Sequence, residues 1–195
     1  MPVRKGETID PSRTRRRILD TAAEAVCAPG VGSVSVNAIA RRAGASKETV
    51  YRAFGNRGGL IRAAIEDRST VNAQRLADLE RDHPQPRVRL DALVAFHAAW
   101  FGTDDFNGCP IVRAVLESVE PLNDAGAAHL ARYTGFLDTI VDELHLPATT
   151  TLQILGLLEG ATIIAAINGP AAGRTVLGAI ALLVECQPGD QDPHE

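Results

Sequence analysis

Apolar residues recur along this chain at intervals of three and four, and the runs are closed by Gly, Pro or a capping Ser, Asp or Asn. That period is helical. Ile18, Ala22, Ala25 and Val26 form one face of a first helix, opened by Asp10 and Pro11 and stopped by Pro29-Gly30 with Gly32. Ser35 and Ser46 stand where N-caps belong, Ile39, Ala40 and Ala43 are spaced helically between them, and Gly44 suits a helix end that needs positive φ. Val50 and Phe54, four apart, turn one side of the next helix toward a core and leave Lys47, Glu48, Thr49, Tyr51 and Arg52 to its first turn or outer side. A helix that enters a DNA groove needs this division, so residues 35 to 54 predict a helix-turn-helix.

Gly55 to Gly59 then predicts a turn, and Leu60, Ile61, Ala64, Ile65, Val71 and Leu76 carry a long helix to about Arg81. His83-Pro84-Gln85-Pro86 breaks it. Further helical runs span Val88 to Phe101, about Pro110 to Glu120, Asn123 or Asp124 to about Leu144, Thr149 to Asn168, and Ala171 to Cys186. Strand alternation is absent from the pattern, so the fold class is all-α with about nine helices. Met1 to Ile9 reads as a mobile basic arm and the residues from 188 to 195 as a disordered tail.

Composition adds little until charge is split by position. The chain of 195 residues has a formal net charge of -4. Residues 1 to 66 carry twelve Lys and Arg against six Asp and Glu, while the remainder nets -10. A basic N-terminal part on an acidic body suits a nucleic-acid partner. Three cysteines, Cys27, Cys109 and Cys186, have neither CxxC spacing nor an even count, which argues against a disulfide framework or zinc module and for a reducing, cytoplasmic setting. Residues 152 to 168 come nearest to a membrane span, but Gln153, Gly156, Glu159, Gly160 and Thr162 interrupt them, so a buried helix is expected and no membrane partner.

The order Arg17-Ile18-Leu19 with Ala22-Ala23, Ile39-Ala40 with Ala43-Gly44-Ala45-Ser46, and Thr49-Val50-Tyr51-Arg52-Ala53-Phe54 with Arg57 and Leu60 resembles the DNA-binding domain of TetR-type (TetR/AcrR) transcriptional regulators. The resemblance implies a three-helix head over residues 1–55, and an effector-binding and dimerisation body over 56–187 that begins with a connecting fourth helix. It also implies a homodimer reading a roughly palindromic double-stranded operator. Carried over by position, Lys47, Glu48 and Arg52, with Asn37, are candidates for base edges. Ser35, Ser46, Thr49, Tyr51 and Arg57 are candidates for phosphate oxygens. Ala53 stands where the family commonly has His, removing one phosphate contact, and Arg57 replaces the usual Lys with its charge kept.

Asn107-Gly108-Cys109-Pro110 is similar to a Gly-Cys turn in many members of that family. The family's effectors are small apolar or amphipathic compounds bound between the middle helices. Here Phe96, His97, Trp100, Phe101, Cys109, Val112, Leu116, His129, Tyr133 and Phe136 could line such a space, or could equally be plain core. The last two helices carry more apolar surface than a terminal hairpin should expose. Leu152, Leu155, Leu158, Ile163 and Ile167 with Val176, Ile180 and Leu183 predict a four-helix dimer interface, which the small residues Gly156, Gly160, Ala166 and Gly178 would let close tightly. HExxH, GxSxG and phosphate-cradling glycine loops are absent from the sequence, so an enzyme is not expected, nor a cofactor or metal. The alternative function is a thiol-based redox-sensing regulator acting through Cys109, which stands beside a turn and near a helix N-terminus.

Overall fold

The computed structural model describes residues 10–27, 35–117 and 122–186. Among them are nine helices and no strand: α1 (Pro11–Cys27), α2 (Val36–Arg42), α3 (Lys47–Phe54), α4 (Arg57–Asp82), α5 (Pro86–Trp100), α6 (Pro110–Glu117), α7 (Asn123–Glu143), α8 (Thr149–Asn168) and α9 (Pro170–Cys186). The all-α class is as the periodicity predicts. The N-terminal arm, the stop at Pro29-Gly30 and Gly32, the end of the α6 run at Glu120 and the C-terminal tail lie outside the described residues.

Helix starts follow local chemistry. Asp10 opens α1 by accepting the Ser12 N–H at 2.9 Å through its side chain and the Thr14 N–H at 3.0 Å through its carbonyl. Before α4 the expected turn is shorter than the glycines suggest. Only Gly55 has positive φ (77°); the Asn56 carboxamide oxygen accepts the Gly59 N–H at 2.8 Å, so the helix begins at Arg57 and both Gly58 and Gly59 lie inside it. Glycine at 59 answers a packing need, because a Cβ there would run into the Phe54 carbonyl oxygen. Helix α5 begins two residues earlier than Val88, with Pro86 in its first turn, where a missing N–H costs nothing.

The chain forms two compact units that do not follow a cut at residue 55. The first comprises Met1–Val71 with Pro110–Gly126, the second Asn72–Cys109 with Ala127–Glu195. In the first, α1, α2 and α3 pack around Ile18, Ala22, Val26, Ile39 and Val50, and Leu60, Ile61, Ala64 and Ile65 of α4 are also fully buried. Arg16 of α1 forks onto Asp67 of α4 at 2.6 and 3.1 Å. Helix α6 belongs to this unit for a specific reason. The Arg113 guanidinium donates to the carbonyls of Val26 at 3.0 Å and Cys27 at 3.1 Å, two of the acceptors that the end of α1 leaves without helical partners.

The second unit is built on Leu76, Leu90, Leu93, Phe101, Phe136, Leu137, Ile140, Val141, Ile154, Leu158 and Ile180. Helices α8 and α9 pack tightly at Gly173, where an added Cβ would sit 2.5 Å from the Ala165 Cβ and 2.9 Å from the Ala161 carbonyl oxygen. By length and composition α8 could cross a bilayer, with a mean hydropathy of 1.6; its buried side packs on α9 and α5. Arg89, buried in α5, reaches both carboxylate oxygens of Glu143 at 3.3 Å and the carbonyls of His83 and Pro84 at 3.1 and 2.9 Å, closing the proline turn after α4.

Candidate functional site

The helix-turn-helix is held by its two serines. The Ser35 hydroxyl accepts the Ala38 N–H at 3.4 Å, and the Ser46 hydroxyl accepts the Thr49 N–H at 3.1 Å while lying 3.1 Å from the Thr49 hydroxyl. Gly44 between them takes φ 62°, the left-handed turn that joins α2 to α3. Val50 is fully buried and pins α3 to α1 and α2, while Asn37, Ser46, Lys47, Glu48, Tyr51 and Arg52 are exposed and Thr49 and Arg57 half-buried.

Each exposed group has a local setting. The Lys47 ammonium lies 5.6 Å from the centre of the Tyr51 ring, and Arg15 of α1 lies 4.8 Å from that of Phe54. Glu48 is held below the ordinary carboxylate range by its own backbone N–H and then by the Ser46 hydroxyl. An anionic side chain so placed favours the positive end of the helix dipole and completes the start of α3. The structure therefore brings Lys47, Tyr51 and Arg52 to one exposed helix with its first turn fixed, and gives Ser46, Glu48 and Thr49 parts in fixing it. Arg15, missed in the sequence, is signalled only by its place in the basic run at the start of α1.

In the second unit the predicted effector residues separate. His97, His129, Tyr133, Phe101 and Phe136 are buried and Phe96, Trp100 and Cys109 half-buried, and these form one aromatic and polar constellation, apart from Phe136, for which no ring contact is found among the described residues. The His97 ring lies 6.1 Å from Tyr133 and 6.1 Å from Trp100, His129 lies 5.3 Å from Tyr133, and the Cys109 Sγ is 3.8 Å from His129 Nε2. Val112 and Leu116 stand on α6 in the first unit, and Leu116 is 78% exposed. Sequence reading missed three members. Arg75 lies over Phe96 at 4.1 Å; Phe106 packs edge-on to Trp100 at 4.9 Å; Glu159, the only ionisable residue of α8, is close enough for its charge to act on Tyr133. A lone acid in a twenty-residue apolar helix was the available signal for the last.

Burial sets the protonation of this group. It pushes His97 down, and His129 down to about 4, helped there by the Arg132 charge; it pushes the Tyr133 phenol up, with Cys109 and Glu159 adding to the effect, and the Glu159 carboxyl up. At neutral pH both imidazoles and the phenol are therefore uncharged. Among the described residues no group of three or more His, Cys, Asp or Glu is arranged to hold a metal ion, and all three cysteines are free.

On α8 and α9 the predicted interface residues fall on two sides. Leu155, Leu158 and Ile180 are buried within the second unit, where they join its core. Leu152 (67% exposed), Ile163 and Ile167 (76%) stand outside with Gly156, Gly160 and Gly178, none of which has a neighbouring atom within 4 Å of an added Cβ; Val176 and Leu183 are half-buried. Leu182, also exposed, extends this apolar face and was missed.

Residues 18–64 match the family model described as bacterial regulatory proteins, tetR family. No curated protein matches the sequence. Among solved structures the chain is similar to a TetR-family transcriptional regulator from Streptomyces coelicolor (TM-score 0.82, 20% identity, covering 89% of this chain and 95% of that one). It is similar to Escherichia coli NemR in its reduced form (0.76, 19%, covering 90% and 98%). It is also similar to the transcriptional regulator FadR of Bacillus subtilis in complex with stearoyl-CoA (0.67, 20%, covering 87% and 97%). Over residues 18–64 the chain thus carries the segment that marks the bacterial regulatory proteins of the tetR family, and as a whole it has the fold of the TetR-family transcriptional regulators.

Proposed function

We propose that the chain is a ligand-responsive repressor that binds a palindromic operator as a homodimer through α2 and α3 and is released by a small apolar or amphipathic effector held in the second unit. The observation that carries this reading is the division of α3: Val50 is wholly buried, while Lys47, Tyr51 and Arg52 stand in solvent on a helix whose start Ser46 fixes. Lys47 and Arg52, with Asn37, read base edges, and Ser35, Ser46, Thr49, Tyr51 and Arg57 hold phosphates. Glu48 serves both the α3 start and acceptance from cytosine. The unpartnered face of Leu152, Ile163 and Ile167 supports the homodimer, whose two heads sit one DNA turn apart, about 34 Å. Effector binding is passed along α4, which continues from one unit into the other, and shifts the head spacing away from that period.

The test is binding across operator variants. Arg52→Ala and Lys47→Ala should each reduce discrimination at one operator position by about 1–3 kcal/mol. Full retention of sequence discrimination in both variants refutes the base-reading assignment.

The Cys109–His129 approach of 3.8 Å favours a second reading, in which hydrogen peroxide converts the Cys109 thiol to a sulfenic acid with loss of water and the operator is released. Equal release from wild type and Cys109→Ala eliminates it.

A further inference from the structure

Arginines of the first unit are disposed in two ways. Arg16 forks onto Asp67, Arg42 meets Glu24 at 2.7 Å and Arg62 meets Asp124 at 2.7 Å, so each of these charges faces a carboxylate. Arg15 is exposed and has neither an ion pair nor a side-chain hydrogen bond among the described residues. A ring holds it instead: its guanidinium lies 4.8 Å from the centre of Phe54, the last residue of α3. A ring face attracts a cation through its quadrupole without taking up an N–H donor or cancelling the charge. Arg17 of the same helix is also exposed, about 200° further round it, and no side-chain contact of either kind among the described residues fixes its direction. Arg15 is therefore both oriented and available.

From this seat we infer that Arg15 is a phosphate-binding residue of the operator complex, held in place by Phe54 at the C-terminal end of α3. The inference rests on the function proposed for α2 and α3. That end of α3 carries the partial negative charge of the helix dipole, which by itself repels a phosphate, and Ala53 beside Phe54 offers no side-chain donor. Arg15 supplies there a permanent charge and N–H donors in the forked array that matches phosphate oxygens. It comes from α1, not from the helix assigned to the groove, and meets α3 at its end. A side chain so placed reaches the phosphates flanking the groove rather than the base edges on its floor, and adds affinity without adding sequence preference. Being ordered before DNA arrives, the guanidinium loses less rotamer freedom on binding than an unseated surface arginine.

Salt dependence of binding tests this, because each neutralised phosphate contributes about 0.9 to the slope of log affinity against log salt. The full chain is titrated with two duplexes, one selected by wild type from a random pool and one of mixed sequence. Arg15→Gln should lower the slope by about 0.9 and weaken binding about fivefold at about 0.15 M salt, with preference among operator variants unchanged. Arg15→Lys should keep most of the slope, and Arg17→Gln should change it by less than half as much as Arg15→Gln does. Phe54→Leu should weaken binding about twofold, and Arg15→Gln added to it should cost less than in wild type. A slope in Arg15→Gln equal to that of wild type overturns the inference, as do equal losses in Arg15→Gln and Arg17→Gln, or a loss in Arg15→Lys as large as in Arg15→Gln. Fully multiplicative effects at 15 and 54 overturn the seat on Phe54. An Arg15 that only favours the α3 dipole would lower Tm on substitution and leave the slope alone. If the slope is unmoved while operator variants are still discriminated, Arg15 falls and the regulator reading stands. If wild type selects no sequence, the regulator reading falls and the mixed duplex still measures Arg15; absence of binding to either duplex overturns both.

Discussion

His129 is 2% exposed, and burial with the nearby Arg132 charge brings it from the ordinary 6.5 down to about 4. Each pKa unit is worth about 1.4 kcal/mol, so protonating it in the folded chain costs about 3 kcal/mol more than in the unfolded one. The sign follows from which state binds the proton first. Above pH 6.5 neither does, and the stability contribution is complete; as pH falls from 6.5 toward 4 the unfolded chain gains a proton that the folded chain refuses, and stability is lost by up to about 1.4 kcal/mol per pH unit. Below about 4 both states are protonated and the loss stops. Urea unfolding of wild type and His129→Gln between pH 7.5 and 4 isolates this residue, because His97 and the carboxylates titrate in both proteins and drop out of the difference. The stability of wild type relative to the variant should fall by about 3 kcal/mol across that range. A difference that stays flat with pH would show that His129 is solvated or charged in the fold, and would remove the basis for treating the interior round Tyr133 as a low-dielectric space.

Ser46→Ala should cost about 1 kcal/mol of stability through the lost cap on the Thr49 N–H, measured as a lower Tm. Ser46→Asp should recover the cap yet bind operator more weakly, since it adds an anion facing phosphate; equal operator affinity in the two variants would take Ser46 out of the interface. Gly173→Ala should destabilise by about 1–3 kcal/mol by forcing α8 from α9. By contrast, Gly135→Ala on α7, where a Cβ meets nothing within 4 Å, should stabilise by up to about 1 kcal/mol, and denaturant midpoints decide both. Arg113→Met, which keeps the apolar stem but removes the donors to the Val26 and Cys27 carbonyls, should cost about 1–3 kcal/mol. Hydrogen exchange at the end of α1 should rise in that variant, and unchanged protection there would mean that Arg113 does not hold α1.

Features legible in the sequence were those decided within a few residues. Ser35 and Ser46 cap as their positions predict, Val50 faces inward as its spacing to Phe54 predicts, and α6 begins at Pro110 as expected. What could not be read depends on partners distant in sequence or on patterns without contrast. Gly58 and Gly59 look like turn residues because composition does not reveal that the Phe54 carbonyl excludes a side chain at 59. Arg113 looks like a solvated charge because its acceptors are 86 and 87 positions away. Helix α8 is apolar all round, so no stripe separates Leu155 and Leu158, which are core, from Leu152 and Ile163, which are not. The polarity of the interior site was hidden for a related reason. Aromatic spacing locates His97, Trp100 and Tyr133, whereas the burial that pushes His129 down and Tyr133 up comes from residues on other helices.

The tie from Arg113 to the end of α1 has a practical bearing on protein engineering. The unit that carries the helix-turn-helix is discontinuous in the sequence: a graft that transplants residues 1–71 onto another protein, leaving 110–126 behind, strips the last turn of α1 of its guanidinium and takes Asp124 away from Arg62, which it meets at 2.7 Å. A chimera with both pieces, joined at Val71 and across positions 109/110 and 126/127, inherits the module whole. The second junction follows directly on Cys109, so the same splice also decides which parent supplies the thiol beside His129.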